Sequence, residues 1–175
     1  NSYINLTPTG DVTFKAKTSS TATTNPNVET TSLAVNVAAG KYYSFYTSGL
    51  YDAVAKTTAA FLIEDNLPAV DTAFAYVRLV NTIPNATNGF NLVATNTTTN
   101  EVLNIAAATA YKAGSTFFKV PNGIYNLTSV STSTPTNITI TRAAVSFSKG
   151  LVYTIAARGS VATTSTLALD LTRNR

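Results

Sequence analysis

The sequence predicts an all-β protein: two tandem immunoglobulin-like/Greek-key β-sandwich domains, the N-terminal one lacking its first strands. Three observations carry that prediction. Charged residues make up 11% of the chain, against about a quarter in an average soluble domain, so Thr, Ser and Asn supply the polarity. These hydroxyl-rich and β-branched residues suit a pleated, half-buried surface, while the strong helix formers are scarce and Met is absent. Short apolar runs alternate with turn residues every roughly 8 to 12 positions, the rhythm of a sandwich or barrel. Finally, the chain repeats itself.

The repeat is clearest where Ala34-Val35-Asn36-Val37-Ala38-Ala39-Gly40-Lys41-Tyr42-Tyr43-Ser44-Phe45 lies over Ala144-Val145-Ser146-Phe147-Ser148-Lys149-Gly150-Leu151-Val152-Tyr153-Thr154-Ile155. Gly49 then falls on Gly159. Towards the N-terminus, Tyr3 to Phe14 resembles Phe117 to Leu127 with one inserted residue, and this pairs Gly10 with Gly123. Downstream, Thr58 to Asp65 corresponds to the closing strand around Thr164 to Leu171. Glycine marks positions that need positive φ or leave no room for a Cβ, so three matched glycine pairs predict shared turns as well as shared composition.

In the second copy the pattern predicts strands near 74–81, 89–95, 101–105, 115–120, 123–131, 137–147, 150–158 and 165–172. Alternation is plain in Tyr125-Asn126-Leu127 and in Ile138-Thr139-Ile140-Thr141, as expected for strands with one buried face. Val77, Leu79, Leu92, Tyr125, Leu127, Val145, Phe147, Tyr153 and Ile155 are the expected core. The first three of these strands have no counterpart in the first copy, which therefore begins in mid-domain. A proline ends the preceding strand at Leu67-Pro68-Ala69, so the domains are read as 1–69 and 70–175.

Composition also narrows the function. There is no Cys, His, Met or Trp, hence no disulfide, thiolate nucleophile, imidazole base or His/Cys metal ligand. Glu64-Asp65 is the sole adjacent carboxylate pair, and neighbours on a strand point to opposite faces. A non-enzyme with no catalytic residue, no metal and no cofactor is expected. The net charge of +4 is spread as −1 over residues 1–69 and +5 over 70–175. Its cations are scattered rather than interleaved with aromatics, so nucleic acid is not an expected partner. No apolar run approaches the ~20 residues of a membrane span, and the first residues do not read as a signal peptide.

Two local features are candidate sites. Tyr42, Tyr43, Phe45, Tyr46 and Tyr51 form the densest aromatic group. With Tyr43 and Phe45 turned to the core, Tyr42, Tyr46 and Tyr51 are the candidate surface for a glycan or a protein partner. The Asn-x-Thr triplets at Asn5, Asn85, Asn96, Asn126 and Asn137 are expected by chance in so Asn- and Thr-rich a chain.

Val77-Arg78-Leu79-Val80-Asn81 with Pro84, then Phe118-Lys119-Val120-Pro121-Asn122-Gly123-Ile124-Tyr125, then Lys149-Gly150-Leu151-Val152-Tyr153-Thr154-Ile155 ending in Gly159, resembles DUF4397, a family of bacterial extracellular domains. The resemblance covers residues 73–173, and its later half covers 2–66. It implies a secreted or lipid-anchored, often tandem module, and Thr- and Asn-rich sequences resemble those of Bacteroidetes. It also implies an outer-membrane anchor through a segment upstream of Asn1. Asp71-Thr72-Ala73 resembles the O-glycosylation signal of that group, which makes Thr72 a candidate acceptor; the alternative is that Asp71 and Thr72 cap a turn. The expected function is a non-catalytic binding or scaffolding module, a lipoprotein component of an outer-membrane or extracellular assembly with protein partners. The alternatives are a structural subunit of a surface filament, completed by a β-strand donated in trans by a neighbour, and a carbohydrate-binding module; the half domain is otherwise completed by a β-strand supplied in cis from a missing upstream segment, which is the simpler expectation.

Overall fold

The computed structural model describes residues 3–7, 11–86, 88–131 and 137–175. Among them every regular element is a strand. The chain divides into two compact units, Ile4–Asn66 and Leu67–Arg175 with Tyr3. The division falls between Asn66 and Leu67, within three residues of the 1–69/70–175 reading, and the Pro68 carbonyl accepts a hydrogen bond from Arg175 Nη2 at 2.8 Å.

The second unit contains β5 (Phe74–Asn81), β6 (Phe90–Asn96), β7 (Val102–Thr109), β8 (Phe118–Pro121), β9 (Gly123–Ser131), β10 (Ile138–Phe147), β11 (Val152–Ser160) and β12 (Thr163–Arg173). They form two four-stranded sheets, ordered β10-β9-β6-β7 and β12-β11-β5-β8. Seven residues of β6 alternate buried and half-buried without a break, the signature of a strand with one face in the core. One pairing is parallel: β5 runs beside β11 with Val77 opposite Tyr153 and Leu79 opposite Ile155. All nine expected core residues are buried, none more than 6% exposed. The rings of Tyr125, Phe147 and Tyr153 pack in series, with centroids 5.7 and 5.2 Å apart.

Two polar devices fix this sandwich. Asn81, fully buried at the end of β5, donates from Nδ2 to the Thr109 carbonyl and accepts the Ile83 N–H at Oδ1, each at 2.9 Å. It thus joins the β5 sheet to the β7 sheet. Arg78, 2% exposed, donates from Nε to Thr154 Oγ1 at 2.9 Å and lies 4.7 Å over the Phe117 ring. The Thr154 hydroxyl in turn donates a hydrogen bond to Asn174 Oδ1 at 2.7 Å, so a buried charge sits in a chain of hydrogen bonds rather than in hydrocarbon.

The first unit contains β1 (Asp11–Lys17), β2 (Glu29–Asn36), β3 (Tyr43–Asp52) and β4 (Thr57–Glu64), as two separate two-stranded sheets, β1-β2 and β3-β4. They are the counterparts of β9-β10 and β11-β12. The matched glycines hold matched backbones: φ is +72° at Gly40 and +83° at Gly150, and +88° at Gly49 and +112° at Gly159. Of the third pair, Gly10 lies outside the described residues, and Gly123 sits close to other side chains: a Cβ there would stand 2.9 Å from Asn96 Nδ2, so that side chain would have to shift.

The sequence led to an expectation of about three missing strands; among the described residues, β5 to β8 have no counterpart in the first unit. Residues 4–7, which match β8 in sequence, do not form a strand. β8 exists by pairing with β5, and the first unit has no β5 for such a segment to pair with. Ile4 and Leu6 are accordingly 80% and 51% exposed.

Candidate functional site

The site is built from the two hairpins of the first unit. Their wiring repeats that of the complete domain. Tyr43 Oη accepts the Ala38 N–H at 3.1 Å, and Tyr153 Oη accepts the Ser148 N–H at the same distance. Ser44 Oγ donates to Asp65 Oδ2 at 2.6 Å where Thr154 donates to Asn174. The Tyr42 and Val152 carbonyls accept the Asp65 and Asn174 N–H groups, both at 2.7 Å. The two hairpins meet through Phe14 and Phe45, whose rings stack with centroids 5.6 Å apart and an interplanar angle of 23°.

What differs is enclosure. The large side chains that are fully buried all belong to the second unit, whereas Val37 and Phe61 are the buried apolar residues among those described in the first. Val12, Phe14, Leu33, Val35 and Phe45 are only half-buried. Two strand edges explain this. In the second unit β11 lies between β12 and β5, and β9 lies between β10 and β6. In the first, β3 pairs with β4 alone and β1 with β2 alone. Alternation of the ladder turns the N–H and C=O groups of Tyr43, Phe45 and Thr47 away from β4, and those of Thr13 and Lys15 away from β2.

The aromatic candidates are placed as follows. Tyr42, half exposed, directly precedes β3. Tyr46 lies on β3 with its ring stacked on Phe61, its cross-strand neighbour, at 5.1 Å. Tyr51 is 54% exposed near the end of β3, past a shift of register between Ser48 and Asp52. Tyr42 and Tyr46 share a face by alternation, but the register shift ends the alternation before Tyr51, and Phe61 covers one side of Tyr46.

Asp71 caps the start of β5. Its Oδ1 accepts the Ala73 and Phe74 N–H groups at 2.9 and 3.3 Å, and Oδ2 accepts the Tyr76 hydroxyl at 3.1 Å and pairs with Lys119 Nζ at 3.2 Å. The Ala73 N–H above all, helped by Lys119 and Tyr76, holds this carboxyl below its usual value, against a partial opposing effect of burial. Thr72 beside it is exposed. A depressed pKa in the folded state adds stability above about 3.8 that is lost as pH falls through the folded value. Asp71→Asn keeps a turn acceptor but loses the negative charge that strengthens the Ala73 hydrogen bond and pairs with Lys119. Thermal melts are therefore expected to show the variant less stable near neutrality, with the gap closing in acid; a gap that persists there would contradict the ion-pair account.

Glu64 pairs with Lys41 Nζ at 2.7 Å while Asp65 accepts from Ser44, so the adjacent carboxylates serve separate structural contacts. No group of three or more metal-ligating side chains occurs among the described residues. No protein-family model matches the chain, and no curated protein sequence matches it.

Proposed function

We propose that this chain is a non-catalytic binding and scaffolding module of a bacterial cell-surface or extracellular assembly, of the DUF4397 type, and that its first unit binds by accepting β-strands. The observation that carries this reading is the pair of strand edges on β1 and β3, whose homologues in the same chain are covered. A lone two-stranded hairpin is marginal in water, and a row of main-chain donors and acceptors beside half-buried apolar side chains is a template for strand addition. The structural-filament alternative is the same chemistry with the strand supplied by a neighbouring subunit.

The test is protein purified from its source without denaturant. The expected result is that a separate polypeptide chain remains bound and slows amide exchange at Tyr43, Phe45 and Thr47; occupation of both edges by residues upstream of Asn1 in the same chain would refute the reading. Native protein that consists of residues 1–175 alone, with those amides exchanging freely, would refute the reading. The carbohydrate alternative rests on the half-exposed rings of Tyr42 and Tyr51; on a glycan array it requires a signal that Tyr51→Ala abolishes and that a denatured control lacks.

A further inference from the structure

We infer that the first unit carries a further interaction surface, separate from β1 and β3: the outward edge of β4, which pairs antiparallel with β4 of a second copy of this chain about a twofold axis at Ala60. This edge belongs to the fold itself. Its counterpart β12 also ends its sheet in the complete domain, ordered β12-β11-β5-β8, and no strand pairs beyond it. β4 in turn pairs with β3 alone. The Asp65 N–H donates to the Tyr42 carbonyl, which sets the alternation along the ladder. Ala59, Phe61 and Ile63 therefore bond to β3, while the N–H and C=O groups of Thr58, Ala60 and Leu62 point away from it.

The complete domain guards the same edge, and the first unit does not. Leu169 lies opposite Ala157 as Ala60 lies opposite Thr47, so the Leu169 and Ala60 carbonyls occupy equivalent outward positions. Arg142 Nη1 donates to the Leu169 carbonyl at 2.7 Å. Asp170 puts a charge into β12 where β4 has Phe61. Alongside, β10 breaks its register between Arg142 and Val145, with Ala144 at φ +55°, and a bulge on an edge strand discourages pairing. In the first unit Ser32 and Leu33 stand where β10 carries Arg142, so there is no guanidinium to cap Ala60. β2 keeps its register unbroken from Thr31 to Asn36. From Thr57 to Ile63, β4 has no charged residue and no proline.

A second copy is the occupant that this edge fits. Two antiparallel β4 strands with Ala60 opposite Ala60 place Leu62 opposite Thr58, Phe61 opposite Ala59 and Ile63 opposite Thr57 of the other copy. Each large side chain then meets a smaller one, and the outward groups of Thr58, Ala60 and Leu62 meet outward groups. The ends are complementary too. Lys56 is exposed just before β4 and Glu64 ends it, so antiparallel alignment brings each Lys56 to the Glu64 of the other copy. A parallel alignment would set like charges together. Residues 1–69 carry a net −1 against +5 for 70–175, so two first units approach with little mutual repulsion. The same patch on both copies closes the contact into a dimer rather than a fibre.

The chain has no cysteine, so a single introduced thiol reads the contact directly. Directly opposed residues of a hydrogen-bonded pair have Cα atoms about 5.5 Å apart, within reach of a disulfide. Thr58 and its own copy would stand four residues apart along the strands, roughly 13 Å. The whole chain carrying Ala60→Cys is therefore expected to form a disulfide-linked dimer under mild oxidation at least about tenfold faster than the chain carrying Thr58→Cys. Sedimentation equilibrium of the unsubstituted chain is expected to show monomer and dimer in exchange. Ala60→Pro removes an outward N–H and leaves the Ala59 and Phe61 donors to β3 in place, so it is expected to weaken the dimer at least about tenfold. A chain that stays monomeric at every concentration overturns the proposal. So does cross-linking of Thr58→Cys as fast as Ala60→Cys, or a dimer that Ala60→Pro leaves intact while Ala60→Cys stays reduced. If Ala60→Pro unfolds the first unit, seen as lost amide protection at Ala59 and Phe61, the two thiol variants decide the matter. Failure here leaves strand acceptance by β1 and β3 standing, because that reading is tested by a separate chain retained on those strands.

Discussion

Phe147→Ala is expected to destabilise the second unit by about 3–5 kcal/mol, the cost of deleting a fully buried aromatic ring. Phe147 is 0% exposed and lies between Tyr125 and Tyr153, so the cavity would open in the middle of the aromatic series, where neighbouring rings have little freedom to close it. At roughly 4 °C per kcal/mol for a unit of this size, the melt should fall by at least about 12 °C. The matched control is Val37→Ala, at the same place in the first unit. Val37 is 8% exposed and smaller, so about 1–2 kcal/mol is expected. Hydrogen exchange resolved by unit would measure both, and equal costs would contradict the view that only one of the two units has a closed core.

Asn81→Leu ranks next. The leucine fills a similar volume but leaves the Thr109 carbonyl and the Ile83 N–H without their present partner. At about 1–3 kcal/mol per orphaned buried group, the loss should reach about 2–5 kcal/mol, seen as a lower urea midpoint. Asn81→Asp refines the argument. It keeps the acceptor for Ile83 but loses the donor to Thr109, and burial there raises the carboxyl pKa above its ordinary value. In the acid form a carboxyl proton can be donated to the Thr109 carbonyl. The defect is therefore expected to be small below the ordinary Asp pKa and to grow as pH rises above it. A defect independent of pH would show that the Asn81 amide donor does not act through Thr109.

Much of this fold was legible in the sequence because its signals are local. Alternation in Tyr125-Asn126-Leu127 announces a buried face without reference to any partner, and the Gly40/Gly150 and Gly49/Gly159 pairs mark turns through backbone conformation alone. Pairing is not local. Nothing in the side-chain period of β5 says that it will run parallel to β11, and nothing in residues 4–7 says that a strand-like sequence will stay unpaired. β7 runs to Thr109, beyond the expected end at 105: Ala106-Ala107-Ala108 has little strand preference of its own, and pairing with β6, with Phe90 opposite Thr109, sustains it. The aromatic cluster was visible, but the stacking of Tyr46 on Phe61 depends on a cross-strand register that spacing within one strand does not reveal. The strand edges followed from the repeat, since a missing neighbour can be inferred once a complete copy is available for comparison.

The exposed segment 4–7 has a consequence for how completion would proceed. In the complete domain β8 rests on the far side of β5, so a strand seated on β3 would itself present a fresh edge to Ile4–Thr7. Capture would then recruit the chain's own segment as the next strand and bury Ile4 and Leu6. Arrival and departure of the ligand become coupled to the ordering of the host, and release requires an already zipped strand to peel away first. Such a clasp would dissociate slowly without any contact being individually strong.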